Sequence, residues 1–305
     1  MPKYPAPELS IIVPCLGAVS EFENTLASLL RYRAANTQVV AVHDGSYQDP
    51  HGIGGEVEFV AAPTNSNLGG HLGIALRQSS APVVGMIRPG VQIVEGWQDS
   101  ILDAFEDQSV ASVSPLIVDE AKPNRILMAG VDVARGFRRK FVGQGIPVGR
   151  KAAHLSPLGP SSWAAFYRRN ALDRLGTPDP QMASVYLDLD IALGLNALGL
   201  RSVLQTECVL TVEEAGSIIE ESTMPHGNAA ARANLRFGTG ASTMMESVIE
   251  LATVPFKPWL FKHVMGKFSA RSMQEVDSAY RRRLETRVEV DPAPFEIPAD
   301  YRRAA

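Results

Sequence analysis

Four short apolar runs in the first part of the chain each end in a polar or glycine-rich loop, and this recurrence constrains the fold more than any other feature. The first is Leu9-Ser10-Ile11-Ile12-Val13-Pro14. A continuous apolar run that stops at a proline reads as a buried parallel strand. A helix follows it, with Ser20 and Glu23 spaced as a capping box. The second run, Gln38 to Val42, ends in His43-Asp44-Gly45-Ser46; the third, Val57 to Ala61, leads to Asn65-Ser66-Asn67-Leu68-Gly69-Gly70; the fourth, Pro82 to Ile87, ends in Arg88-Pro89-Gly90-Val91. In an open α/β sheet such carboxyl-end loops form the ligand crevice, so this half of the chain is expected to hold a small-molecule site.

Helical spacing of apolar residues supplies the covering layers. Phe22, Leu26, Leu29 and Leu30 make one stripe, Trp97, Ile101, Leu102 and Phe105 another, and Leu68 to Gln78 is a further helix candidate. Val110 to Val118 reads as a strand, Ser161 to Tyr167 as another, and Asn170 to Leu175 as a short helix stopped by Gly176 and Pro178. From Asp119 to Pro157 the pattern gives way to Gly- and Pro-punctuated loops or short hairpins, with a basic cluster at Arg135, Arg138, Arg139 and Lys140 that reads as a solvated face. Asp188 to Leu198 is the next helix, closed by Gly199; its acids Asp188 and Asp190 sit at the N-terminus, where the helix dipole favours anions. Capping alone, or capping together with chemistry, both fit them.

Composition narrows the class. The chain has 305 residues, 45% hydrophobic and 20% charged, with a formal net charge of −4, so nucleic acid is not an expected partner. Cys15 and Cys208 are too few for a disulfide framework or a thiolate metal site. No run reaches the 18 or so apolar residues of a membrane span, and Met1 to Ser10 lacks the pattern of a signal peptide; a soluble, cytoplasmic protein is the expectation. Gly69-Gly70-His71-Leu72-Gly73 lacks the spacing of a dinucleotide loop, and the histidines form no hydrolase motif.

Ser10 to Pro14, Val39 to Ser46, Asn67-Leu68-Gly69 and Ala81 to Val84 leading to Gly96-Trp97 resemble, in order and spacing, the nucleotide-sugar half of the family 2 glycosyltransferases. Tyr186-Leu187-Asp188-Leu189-Asp190-Ile191 with Ala197-Leu198-Gly199 is similar to that family's acidic acceptor-side motif and the helix after it. The resemblance covers about Leu9 to Gly216. It implies an α/β GT-A-like mixed sheet flanked by helices, with residues 1–118 as the nucleotide-sugar half, 119–216 as the acceptor half, 217–285 as a helical segment and 286–305 as an unstructured tail. It implies an inverting transfer from a UDP-, GDP- or dTDP-linked sugar to a glycan or lipid-linked acceptor. Pro14, His43, Asp44, Asn67, Gly69 and Arg88 would line the donor, Trp163 would stack on an acceptor sugar or pack in the core, and Asp188, or Asp190 as second choice, would be the base.

Three positions depart from the family pattern. His43 stands where an acid usually faces the base, Leu210-Thr211-Val212-Glu213-Glu214 lacks the customary histidine, and Arg88-Pro89-Gly90 replaces the Asp-x-Asp that holds Mg²⁺ or Mn²⁺. Two expectations follow. Arg88 neutralises the diphosphate directly, as a planar fork suited to phosphate, or the site is degenerate and the protein is a non-catalytic binding or scaffolding partner in glycan assembly. Further on, Arg232 and Arg236 lie one turn apart and offer a basic face to a diphosphate or simply to solvent. Val254 to Phe268 mixes Phe, Trp and Lys as an interfacial helix in peripheral membrane contact would, or as a helix docked on the core. Pro292 to Ala305 has the Pro-rich, charged composition of a disordered end.

Overall fold

A computed structural model describes residues 6–176, 178, 179, 181–213, 223–238 and 261–290. Glu214, the stretch 254–260 and the tail from Pro292 lie outside the described residues. The first half alternates as its sequence predicts: β1 (Leu9–Pro14), α1 (Val19–Tyr32), β2 (Thr37–His43), β3 (Glu58–Ala61), α2 (Leu68–Gln78), β4 (Val83–Ile87), the short β5 (Val91–Gln92) and α3 (Trp97–Ala104). Then come β6 (Val110–Asp119), β7 (Lys122–Met128), a hairpin of β8 (Val131–Ala134) and β9 (Arg138–Phe141), β10 (Ala164–Arg168), α4 (Arg169–Leu175), α5 (Leu187–Ala197) and β11 (Arg201–Val212). Among the described residues three α-helices follow: α6 (Met224–Phe237), α7 (Phe261–Ser269) and α8 (Gln274–Val290).

The strands form one mixed sheet in the order β3-β2-β1-β4-β10-β6-β11-β5, with β7 on β6 and the β8–β9 hairpin separate. β1 pairs in parallel with β2 on one side and β4 on the other. The chain runs outward from β1 through β2 to β3, then returns across β1 to β4. That reversal opens a crevice beyond the carboxyl ends of β1 and β4. β10 is antiparallel to β4 and β6, so the second half of the chain continues the same sheet, and the expected boundary at 118 falls inside β6.

Side-chain alternation along the strands feeds two cores. Ile11, Val13, Val39 and Ala41 meet Phe22, Leu26, Leu29, Trp97 and Ile101 on one face. Ile12, Val40, Val84 and Ala165 meet Leu68, Leu72, Leu172, Ile191 and Leu195 on the other. Each large side chain so buried contributes about 1.5–3 kcal/mol. At the sheet centre a Cβ on Gly85 would run into Ile11 and Phe166, so glycine lets β1 and β10 close over β4.

Several local expectations are corrected. α1 starts after Ala18 with no side-chain cap, so Ser20 and Glu23 form no capping box; Glu23 is instead 3.3 Å from the Tyr47 hydroxyl, which donates to it. Ser161 and Ser162 precede β10 rather than belonging to it. The stretch after Asp119 holds β7 and, as expected of short hairpins, the β8–β9 pair, but Arg139 in β9 is buried rather than solvated. Arg232 and Arg236 offer no basic face: both are 1% exposed and lie in an ion network with Asp179, Asp190 and Asp277. α7 docks on α6, where Gly227 and Gly266 bring the two backbones into contact. α8 continues to Val290, past the expected boundary at 285.

Candidate functional site

The crevice at the β1, β2 and β4 ends is bounded by residues whose positions follow from strand and loop chemistry. Pro14 ends β1, where its missing N–H needs no ladder partner. His43 ends β2, and its Nδ1 accepts from Gly45 N at 3.2 Å; its ring meets Tyr47 and Phe59 edge-on, with centroids 6.4 and 6.3 Å away. Asp44 is exposed and closes an Asx turn, accepting from the Ser46 amide at 3.0 Å and from its hydroxyl, and these bonds hold its carboxyl below the usual range. His71, one turn into α2, is 1% exposed, its Nδ1 has no partner, and burial pushes its pKa down.

Asn67 and Gly69 have packing roles. Asn67 caps α2, accepting from Gly70 N at 3.0 Å, and its amide donates to Met182 O at 3.0 Å. Gly69 sits against the same segment, where a Cβ would lie 3.2 Å from Asp179 O. The Asn-Leu-Gly turn therefore joins the third strand's loop to the chain leading into α5.

Arg88 follows β4 directly. Its backbone N–H donates to Trp163 O at 2.9 Å, and its guanidinium lies over the Trp163 ring at 4.7 Å. Its Nε is buried without a hydrogen-bond partner. Burial pushes the Arg88 pKa down; Asp188 and Glu21 oppose that and Arg139 adds to it, so all three charges are felt there. Trp163, 8% exposed, belongs to the core, and the cation occupies the face expected to meet a sugar. Gly90 has φ +90°, a backbone that L side chains avoid.

Asp188 lies in the first turn of α5 and is fully buried. Its two oxygens accept four hydrogen bonds: Arg139 Nε at 2.9 Å, Arg139 Nη2 at 2.6 Å, Ser162 N at 2.8 Å and Leu189 N at 2.8 Å. The first two make a bidentate fork, the strongest neutralisation a carboxylate finds in a protein. The next residue on from Ser162 is Trp163, so one dipeptide supports both Asp188 and Arg88. Asp190 points elsewhere, toward Arg236 Nη1 at 2.9 and 3.0 Å, and burial pushes its pKa up against the pull of that arginine. The structure thus gathers Arg88, Trp163 and Asp188 at one place and gives Asp190 to the C-terminal helices.

Arg139 is the site residue missed in the sequence. The signal was alternation: in Arg138-Arg139-Lys140-Phe141 the exposed positions are Arg138 and Lys140, while Arg139 shares the inner face with Phe141, whose ring lies 4.1 Å from the guanidinium.

A divalent cation does not fit this strand end. Arginine and glycine stand where oxygen ligands are needed, and among the described residues no cluster of three His, Cys, Asp or Glu side chains is placed to hold a metal.

Comparison with known proteins rests on structure alone, since no family model and no curated protein matches the sequence. A crystal structure of GalNAc-T7 with UDP, GalNAc and Mn²⁺ superposes with a TM-score of 0.65 at 12% identity, covering 92% of this chain and 55% of that one. The fold is that of the GT-A glycosyltransferases. The chain spans about half the length of the GalNAc-T7 structure. The mannosyltransferase PcManGT from Pyrobaculum calidifontis, in complex with GDP-Man and Mn²⁺, aligns over 98% of this chain and 79% of its own at 15% identity, with a TM-score of 0.48. Among the described residues no helix is long and apolar enough to cross a membrane.

Proposed function

We propose that the chain binds a nucleoside-diphosphate sugar in the crevice beyond β1, β2 and β4 and transfers the glycosyl group to an acceptor hydroxyl. The observation that supports this most is Arg88: a guanidinium backed by Trp163, with a buried Nε that has no partner among the described residues, directly after β4. A planar cation there neutralises the departing diphosphate in place of a divalent ion. His43, Tyr47 and Asp44 are the candidates for the nucleobase and ribose, with UDP, GDP and dTDP as the donors to test.

The reaction is an inverting displacement. The acceptor oxygen bonds to the anomeric carbon as the bond from that carbon to the diphosphate breaks; the hydroxyl proton goes to Asp188 and the electron pair leaves with the nucleoside diphosphate. The acceptor is a glycan or lipid-linked hydroxyl, approached from the side of β9 and α5. Phe261 and Met265, 53% and 43% exposed on one face of α7 beside Lys262, are the residues for a peripheral membrane contact.

A second reading, a non-catalytic binding protein of the same fold, draws on one observation: both candidate bases are held by arginines. Release of nucleoside diphosphate from UDP-, GDP- and dTDP-sugars, measured with EDTA and a panel of glycan and lipid-linked acceptors present, decides between them. Transfer predicts release by wild type with one donor class and its loss in Asp188→Asn. Release unchanged in that variant removes Asp188 from the mechanism, and no release from any donor leaves the binding protein as the function.

A further inference from the structure

Asp188 and Arg139 pose a chemical conflict. A carboxylate that accepts four hydrogen bonds, two of them from a guanidinium, has no lone pair to offer an acceptor hydroxyl. The pair is buried, with Asp188 at 0% and Arg139 at 9% exposure. Turning Arg139 away leaves the Asp188 carboxylate desolvated, a cost that only an anion of higher charge and matching geometry recovers. A diphosphate is that anion: it carries more charge than a carboxylate and takes the same bidentate fork.

The surroundings fit an exchange of partners. Ser162 N holds Asp188 while the adjacent Trp163 ring carries Arg88, so the two guanidiniums flank a single dipeptide. Arg139 rides on the β8–β9 hairpin, which pairs with itself and stands apart from the main sheet. The hairpin itself is anchored, with Val131 and Phe141 in the core and Lys267 Nζ donating to Gly136 O in its turn, so the exchange is a rotation of the Arg139 side chain about its own bonds.

We propose that the Arg139–Asp188 pair is a latch released by the donor's diphosphate: on donor binding Arg139 turns from Asp188 to the phosphate oxygens beside Arg88, and the freed carboxylate becomes the base. The inference rests on the reading of the crevice as a nucleoside-diphosphate-sugar site. It makes proton acceptance conditional on donor occupancy, so that Asp188 stays neutralised in the free protein.

The test is calorimetric binding of inorganic pyrophosphate to wild type, Asp188→Asn, Asp188→Asn/Arg139→Gln and Arg88→Ala, each checked for folding by circular dichroism. Removing the charge that competes for Arg139 is expected to tighten pyrophosphate binding several-fold in Asp188→Asn. Removing Arg139 as well is expected to cancel that gain and weaken binding about tenfold or more relative to Asp188→Asn, the loss of one charge-assisted contact. Asp188→Asn binding no tighter than wild type, or the double variant binding as tightly as Asp188→Asn, overturns the latch. Loss of binding in Arg88→Ala alongside either of those results leaves the diphosphate site standing without it. Absence of pyrophosphate binding in wild type overturns both.

Discussion

Asp277 is the residue whose loss the structure prices most clearly. It is fully buried on α8, and its oxygens accept from Arg232 Nε at 3.0 Å, Arg232 Nη2 at 2.9 Å and Arg236 Nε at 2.6 Å. Those arginines are themselves 1% exposed and tie α6 to Asp179 and, through Arg236, to Asp190 on α5. Asp277→Ala leaves two guanidiniums in the interior with three carboxylate partners reduced to two. Breaking a buried pair from one side costs about 3–5 kcal/mol, because the remaining charge stays desolvated. With a urea m-value of about 2–3 kcal/mol/M, the unfolding midpoint falls by about 1–2.5 M. Urea titration followed by circular dichroism and tryptophan fluorescence measures it. A midpoint shift below about 0.3 M would show that the network is solvated and that α8 is not held by it. Asp277→Asn, which keeps the shape and part of the hydrogen bonding, is expected to lose about half as much.

Other outcomes follow from individual residues. His263 is 3% exposed, its Nε2 has no partner, and burial, with Lys267, Arg138 and His226 nearby, pushes its pKa down to about 4. Its folded value lies below its unfolded one, so the unfolded chain takes up the proton first. Stability is then full above about pH 6.5 and falls as pH drops toward 4; His263→Phe is expected to flatten that limb in pH-dependent melts. Gly227→Ala places a Cβ against the His263 carbonyl in the α6–α7 contact, and a melting temperature equal to wild type would refute that close approach. Gly90→Asp restores an acid at the strand end but at φ +90°, so it is expected to cost about 1–2 kcal/mol in thermal stability and to confer no Mn²⁺ dependence on nucleotide binding.

What was legible in the sequence was whatever a local period encodes. β1 through β4 and α1 through α3 announce themselves because buried parallel strands read as apolar runs and their helices as stripes. The crevice was legible for the same reason: Arg88 and Asp44 follow strand ends directly. Pairing across long separations was not. Nothing in Arg138-Arg139-Lys140 names Asp188 as a partner, and a cluster of cations reads as solvated until the strand alternation turns one of them inward. Likewise Arg232 and Arg236 show a helical spacing, but only the packing of α8 supplies Asp277 and turns a basic face into an interior network. β11 was also missed: seven of its twelve residues are half-buried, since it runs near the sheet's far side, and its pattern lacks a clean alternation over its first half. The capping box at Ser20 failed because the helix began two residues earlier than the motif supposes, and the motif's geometry depends on that start.

The proposed transfer depends on Arg88 neutralising a nucleoside diphosphate without a divalent ion. Its most direct test is calorimetric titration of wild type and Arg88→Ala with UDP, GDP and dTDP, in EDTA and again with Mn²⁺. The prediction is that one nucleotide binds wild type equally well under both conditions and that Arg88→Ala weakens it about 10- to 100-fold, the worth of a charge-assisted contact of about 1.5–3 kcal/mol. Binding that requires Mn²⁺, or that survives intact in Arg88→Ala, would contradict it.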